Sequence, residues 1–278
     1  MDGKLNQKII GKGINMRIIF VRHGEPDYSM DSLTENGKKE AEALAERTSK
    51  WNVDKFYVSP QGRAKETAAP TLKKMGREAV EYPWLREFSY RVRDKLLGID
   101  HCAWDFMPQD YTSEAILMDP DNWYKAKLYD ESDNLEKYCK EVYEGIDNIV
   151  AEYGYKRNGA YYDFVDPTGH VNPASKEDIM LTGIKNYEKR DEDDDKTIVI
   201  FCHFGVTSLM IAHLIGISPV ALWHGTCIPP TGITIVNAEK RLNNAAHFRI
   251  QALGDVSHLL KAGLPVSGYA AFSTVFQQ

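Results

Sequence analysis

No apolar run approaches the roughly 18 residues that a membrane-spanning helix needs, and Met1–Asn15 lacks the apolar centre of a signal peptide. The four cysteines, Cys102, Cys139, Cys202 and Cys227, lie far apart without CxxC or zinc-ligand spacing, so reduced thiols are expected. Positive charge is in deficit: Lys and Arg total 34 against 40 Asp and Glu, a net charge of −6. A broad nucleic-acid face needs the opposite balance. GxxxxGK[ST], GxGxxG and internal repeats are all missing, so nothing local supports a nucleotide loop. These absences point to a cytoplasmic protein with neither a nucleic-acid nor a membrane partner. Oligomeric state is not legible.

What is present begins with ordinary globular composition. The 278 residues are 43% hydrophobic and 27% charged, enough for one large α/β domain or a core with an insertion. The most informative stretch is Met16–Glu25, MRIIFVRHGE. Its apolar, β-branched start suits a buried parallel strand, which stops at Arg22-His23-Gly24-Glu25. Ligands bind beyond the carboxyl ends of parallel strands, and charged side chains there are costly without a use. A neutral imidazole is a nucleophile and a guanidinium matches phosphate oxygens, so a phosphoryl-transfer site is expected.

Further along, Thr34 precedes Lys38–Ser49, where Ala41, Leu44 and Ala45 keep helical spacing. Thr34 reads equally as an N-cap and as a site-lining residue. Lys55–Ser59 is a second strand, and Pro60–Arg63 opens a helix through about Met75. Arg63 thus falls in a first helical turn, where the free N–H groups already favour an anion. Glu78–Leu85 reads as a third strand, broken by Pro83 and running into Arg86-Glu87-Phe88.

From residue 89 to 195 aromatic and acidic residues interleave, with a helical pattern over Leu135–Tyr153. A segment this long between two strands reads as an inserted cap, its Trp and Tyr residues forming either an apolar roof or the cap's own core. Arg190–Lys196 is a solvated charge run. Thr197–Phe201 is the second strongly buried strand, ending at Cys202-His203-Phe204-Gly205, and Val206–Ile215 is an apolar helix stopped by Gly216. Ile233–Ala238 and His247–Leu253 read as antiparallel neighbours. The expected organisation is an extension at 1–15, dispensable to the fold, a core of 16–88 and 196–256, the 89–195 insertion, and a tail at 257–278.

Arg22, His23, Arg63, Glu87 and His203 together make a phosphoryl-transfer set. His23 attacks phosphorus, the two guanidiniums and the second imidazole hold the equatorial oxygens, and a protonated carboxyl supplies the leaving alcohol. Arg86, Arg91 and Arg93 read either as solvated or as a second anion site.

The chain resembles the histidine phosphatase superfamily, in its phosphoglycerate-mutase-like branch. The likeness rests on RHGE at Arg22–Glu25, LTxxG at Leu33–Gly37, SPxxRAxxTA at Ser59–Ala68 and the strand–His–x–Gly segment at Thr197–Gly205. That resemblance implies a three-layer α/β/α sandwich around a mostly parallel sheet, here with a large α-rich insertion. It implies that His23 becomes the phosphohistidine, that Arg22, Arg63 and His203 hold the phosphoryl group, that Glu87 is the proton donor, and that neither metal nor cofactor takes part. Ser29, where asparagine is frequent, and Phe204, where glycine is usual, are the departures among the expected substrate contacts. Asp105 is the alternative acid. The implied activity is hydrolysis of a small phosphate ester, since Phe88-Ser89-Tyr90 does not resemble the longer binding motif of glycolytic mutases. A phosphomutase and a non-catalytic phospho-ligand binder are the alternatives.

Overall fold

Alternation along two buried strands builds the layers. In the structure, a computed structural model, residues 16–93, 98–130, 132, 134–165, 196–240, 244–269, 271 and 274–277 are described. Along β1 (Met16–Arg22), Ile18 and Phe20 enter one core while Ile19 and Val21 enter another. Strand β10 (Lys196–Cys202) divides in the same way, Ile198 and Ile200 against Val199 and Phe201. Successive strand side chains face opposite ways, so such runs need helices on both faces. Leu44 of α1 (Glu35–Thr48) and Ala64 and Ala68 of α2 (Gly62–Met75) cover one face. The other is covered by α3 (Leu135–Ala151), α4 (Phe204–Ile215) and α5 (Pro219–Gly225), through Ile146, Leu209 and Trp223. This is the expected α/β/α layering.

The sheet is mixed. Its eight strands run in the order β5 (Ala79–Glu81), β4 (Lys55–Val58), β10, β1, β11 (Ile233–Lys240), β12 (Ala245–Asp255), β9 (Tyr161–Phe164) and β8 (Tyr155–Asn158), and the two-residue strands β2 (Pro26–Asp27) and β3 (Ser32–Leu33) pair apart from it. β5, β4, β10 and β1 are mutually parallel. β11, β12, β9 and β8 continue the sheet antiparallel. "Mostly parallel" therefore describes the half that carries Arg22 and His203's strand. The expected strand Glu78–Leu85 is shorter, because Tyr82 leads into a 3₁₀ turn over Pro83–Leu85. Proline has no N–H for a ladder and its fixed φ suits a helical first position.

Part of the 89–195 stretch packs into the core. Cys139, Val142, Ile146, Ile149 and Val150 of α3 are buried in the same core as α4, and β9 pairs with the start of β12. Spacing of three and four residues gives α3 one apolar face, and the sheet offers it a place. Before it lie the small hairpin β6 (Arg91–Arg93) and β7 (Asp100–Cys102) and a run of short turns that buries Leu117 and Trp123. The tail is partly regular, with α6 (Ser257–Lys261) packed against α1. The expectations for residues 1–15 and for the charge run up to residue 195 lie outside the described residues.

Candidate active site

Two adjacent parallel strands deliver two histidines side by side. Arg22 is in register with Cys202, and the next residue, His23, donates its backbone N–H to the Cys202 carbonyl at 2.9 Å. His203 follows Cys202, and the two imidazole centroids are 5.1 Å apart with a tilt of 56°. Arg63 joins them from the first turn of α2 and is almost fully buried.

The His23 ring is fixed by its neighbour. Its Nδ1 lies 2.7 Å from the Gly24 carbonyl, which only accepts, so Nδ1 carries the proton and Nε2 keeps its lone pair. The same peptide unit is gripped on its other side, because the Glu25 N–H donates to Glu40 Oε2 at 2.8 Å. Glu40 is fully buried. Burial pushes its carboxyl up to about 7, with Glu25 adding to that, against the Glu25 N–H and Arg22. His203 Nε2 is 2.7 Å from Ser59 Oγ, which fixes the second ring.

Among the described residues, three polar atoms of this cluster are buried without a partner: His203 Nδ1, Arg22 Nε and Arg63 Nε. Buried polar atoms are normally satisfied, and three orphans on two guanidiniums and an imidazole describe a cradle for an anion. The remaining guanidinium contacts aim the side chains. Arg22 donates to the Ile228 carbonyl at 2.5 Å, and Arg63 pairs with Asp31. Burial holds both histidines well below the ordinary imidazole value; the Arg22 and Arg63 cations add to this, His23 lowers His203 further, and the Gly24 carbonyl works the other way on His23. Both are therefore neutral at rest.

Glu87 closes the cluster from above the N-terminus of α4. Its Oε1 accepts from the Phe88 N–H at 2.8 Å and the Val206 N–H at 3.1 Å, and its own N–H donates to Gln61 Oε1 at 2.7 Å. Desolvation raises its pKa, outweighing those N–H groups and the Arg22 and Arg63 cations. Gly205 makes room: a Cβ there would lie 2.6 Å from Trp104 Nε1 and 2.7 Å from Glu87 Oε1.

Arg22, His23, Arg63, Glu87 and His203 thus come together, and Phe204 lies beside them, buried, with the Arg22 guanidinium 5.9 Å from its ring centroid. The hydroxyls of two other expected contacts have partners of their own. Ser29 is exposed and turns its hydroxyl to Asp27 Oδ1 at 2.6 Å. Thr34 caps α1, accepting from the Gly37 N–H at 3.0 Å and donating to Glu25 Oε1 at 2.8 Å, so its hydroxyl is already committed. Asp105 is exposed on the turn after β7. Arg86 bonds Tyr90 Oη at 2.8 Å, Arg91 bonds the Asp100 carbonyl, and Arg93 pairs with the Asp100 carboxylate. Sequence reasoning missed Glu40, Ser59's hold on His203, and Ser267, whose hydroxyl donates to Glu25 Oε2 at 2.6 Å. Among the described residues, no group of three or more His, Cys, Asp or Glu is disposed to hold a metal ion.

The fold and this cluster define a class, the α/β enzymes of phosphate-ester chemistry. The family model of the histidine phosphatase superfamily (branch 1) matches this chain over residues 18–154. The chain is 26% identical over 153 residues to a probable phosphoglycerate mutase of Serratia proteamaculans, covering 50% of this chain and 70% of that one. It is 21% identical over 237 residues to phosphoserine phosphatase 1 of Hydrogenobacter thermophilus, covering 82% and 89%. A mycobacterial glucosyl-3-phosphoglycerate phosphatase shares the fold, with TM-score 0.51 at 17% identity over 86% of this chain and 99% of the other. Among the described residues no helix is long and apolar enough to cross a membrane.

Proposed function

We propose that the chain is a phosphomonoesterase that hydrolyses a small phosphate ester through a phosphohistidine on His23. The observation that carries this is the His23 Nδ1–H to Gly24 carbonyl bond, which leaves Nε2 free as a nucleophile among three unpartnered polar atoms. Arg22, Arg63 and His203 hold the equatorial oxygens and offset the charge that grows there. Nε2 attacks phosphorus in line, the P–O bond to the alcohol breaks, and the Glu87 carboxyl gives its proton to the departing oxygen. Water then gives a proton to the Glu87 carboxylate and attacks the phosphohistidine. The P–N bond breaks, phosphate leaves, and both groups return to their starting states. The set needs neither metal nor cofactor. A cytoplasmic setting belongs to the same reading and is supported by four cysteines that are all free thiols.

Two relatives, a phosphatase over most of the chain and a probable mutase over half of it, bracket the chemistry. Hydrolysis is favoured because the phosphatase relative matches 82% of this chain and the probable mutase 50%. The deciding experiment follows p-nitrophenyl phosphate with excess chelator at mildly acidic pH, for the protein and for His23→Ala. Turnover that survives chelation and disappears in the variant is expected. Rapid 3-phosphoglycerate interconversion with little phosphate release would replace hydrolysis by a mutase, and absence of any phosphoenzyme would leave a binder.

A further inference from the structure

At the mouth of the cluster stand two large aromatic side chains that folding leaves exposed: Tyr28, 53% accessible, and Tyr269, 42%. Their ring centroids are 5.7 Å apart with a tilt of 55°. The Arg63 guanidinium lies 5.2 Å from the Tyr28 ring centroid. The charged side chains that bear on the Tyr28 phenol are Arg22, Arg63 and Glu87. Tyr28 therefore stands where the phosphate cradle, the carboxyl and solvent meet. The alcohol half of an ester must occupy that place, because Glu87 has to reach the bridging oxygen.

The second ring is held there by a built support. Ser267 is buried and bonds Glu25 Oε2, and the Tyr269 N–H donates to the Ser267 hydroxyl at 3.2 Å. Further on, the Gln277 amide bonds both backbone groups of Val266, at 3.0 and 2.9 Å. The chain thus carries an aromatic ring back some 240 residues in sequence to the segment after the nucleophile. Arg22 and Arg63 are engaged with the phosphoryl position, and Arg86, Arg91 and Arg93 are bonded to Tyr90, Glu141 and Asp100. Among the described residues, a carboxylate on the alcohol would face Glu87 and two phenols with no cation of its own, which is an expensive place for a negative charge. A ring would find two exposed aromatic faces.

We propose that Tyr28 and Tyr269 form an aromatic wall that selects phosphate esters whose alcohol carries a flat, uncharged ring, and disfavours esters whose alcohol carries a carboxylate. This rests on the reading of the site as a phosphomonoesterase. Its test compares benzyl phosphate, propyl phosphate and 3-phosphoglycerate, since benzyl and propyl alcohols are both simple alkoxide leaving groups. kcat/KM is expected to favour benzyl over propyl phosphate by about tenfold, with 3-phosphoglycerate below both. Tyr269→Ala should lower the benzyl-to-propyl ratio about fivefold and Tyr269→Phe should retain it, since the ring and not the hydroxyl does the selecting. A ratio of one in the parent, an unchanged ratio in Tyr269→Ala, or 3-phosphoglycerate hydrolysed as well as benzyl phosphate would each overturn the wall. If no ester is turned over, hydrolysis fails as a reading, and the wall is judged by calorimetry with benzylphosphonate and propylphosphonate. Tighter benzyl binding that Tyr269→Ala abolishes supports it; equal binding of the two overturns it.

Discussion

Glu87 and His23 need opposite protonation states in the same pocket, and burial serves both, because it disfavours charge on an acid and on a base alike. The raised Glu87 value keeps its carboxyl protonated further into the pH range than an exposed acid, while His23 stays neutral well below 6.5. Turnover of an alkyl phosphate should therefore fall as pH rises through the Glu87 value, and p-nitrophenyl phosphate, whose leaving group needs no proton, should show much less of that fall. Paired pH–rate profiles check this. Glu87→Gln should slow the alkyl ester by about 10²–10⁴ and the nitrophenyl ester far less. Glu40 gives a stability test with a definite sign. Its folded value of about 7 lies above its ordinary 4.5, so the native state holds the extra proton between them and loses stability as pH rises through that window. Glu40→Gln should gain on the parent by up to about 3 kcal/mol between about pH 4.5 and about pH 8. Denaturant midpoints at both pH values measure it, and an equal difference at the two would remove Glu40 as the titrating group.

At the level of elements, α3 decides whether residues 135–164 belong to the core. Ile146 is fully buried against the elements that cover the sheet, so Ile146→Ala should destabilise the whole chain by about 2–5 kcal/mol in one cooperative transition. A separate early transition that leaves the rest folded would instead make it a detachable cap. Gly205→Ala should displace Glu87 and Trp104 and so reduce alkyl phosphate turnover, since the added Cβ would meet Glu87 Oε1 at 2.7 Å. The elements differ in how plainly the chain announces them. β1 and β10 are continuous apolar runs ending in charged or polar residues, and α1 has a cap and a periodic face, so strand, helix and the His23, His203 and Arg63 positions were legible. β8 and β9 read YKRN and YYDF, short and polar, and acquire strand structure by extending an edge supplied by β12. Glu40 was hidden because a glutamate beside Ala41 and Leu44 looks like the solvent side of α1; only the approach of the Gly24–Glu25 peptide buries it. The partnership of Ser267 and Tyr269 with the site has no periodicity to betray it.

Over the whole molecule, the cluster draws on residues 22–23, 63, 87 and 203, which no short segment brings together. The fold does so because one end of the parallel half-sheet collects the segments that follow its strands. An anion held by Arg22, Arg63 and His203 is consequently a clamp on the entire domain. Inorganic phosphate at a hundred times its Kd should stabilise the protein by about 2.7 kcal/mol, and Arg63→Ala should abolish most of that gain in thermal melts. The order of the strands also has a bearing on synthesis. β10 lies between β1 and β4, yet it is made more than a hundred residues after either, and it brings His203 with it. Until the ribosome has passed residue 202, β1 and β4 are two greasy edges waiting for the same missing partner. A nascent or truncated chain that stops earlier is therefore both chemically idle and adhesive, and needs shielding from its neighbours until β10 has been made.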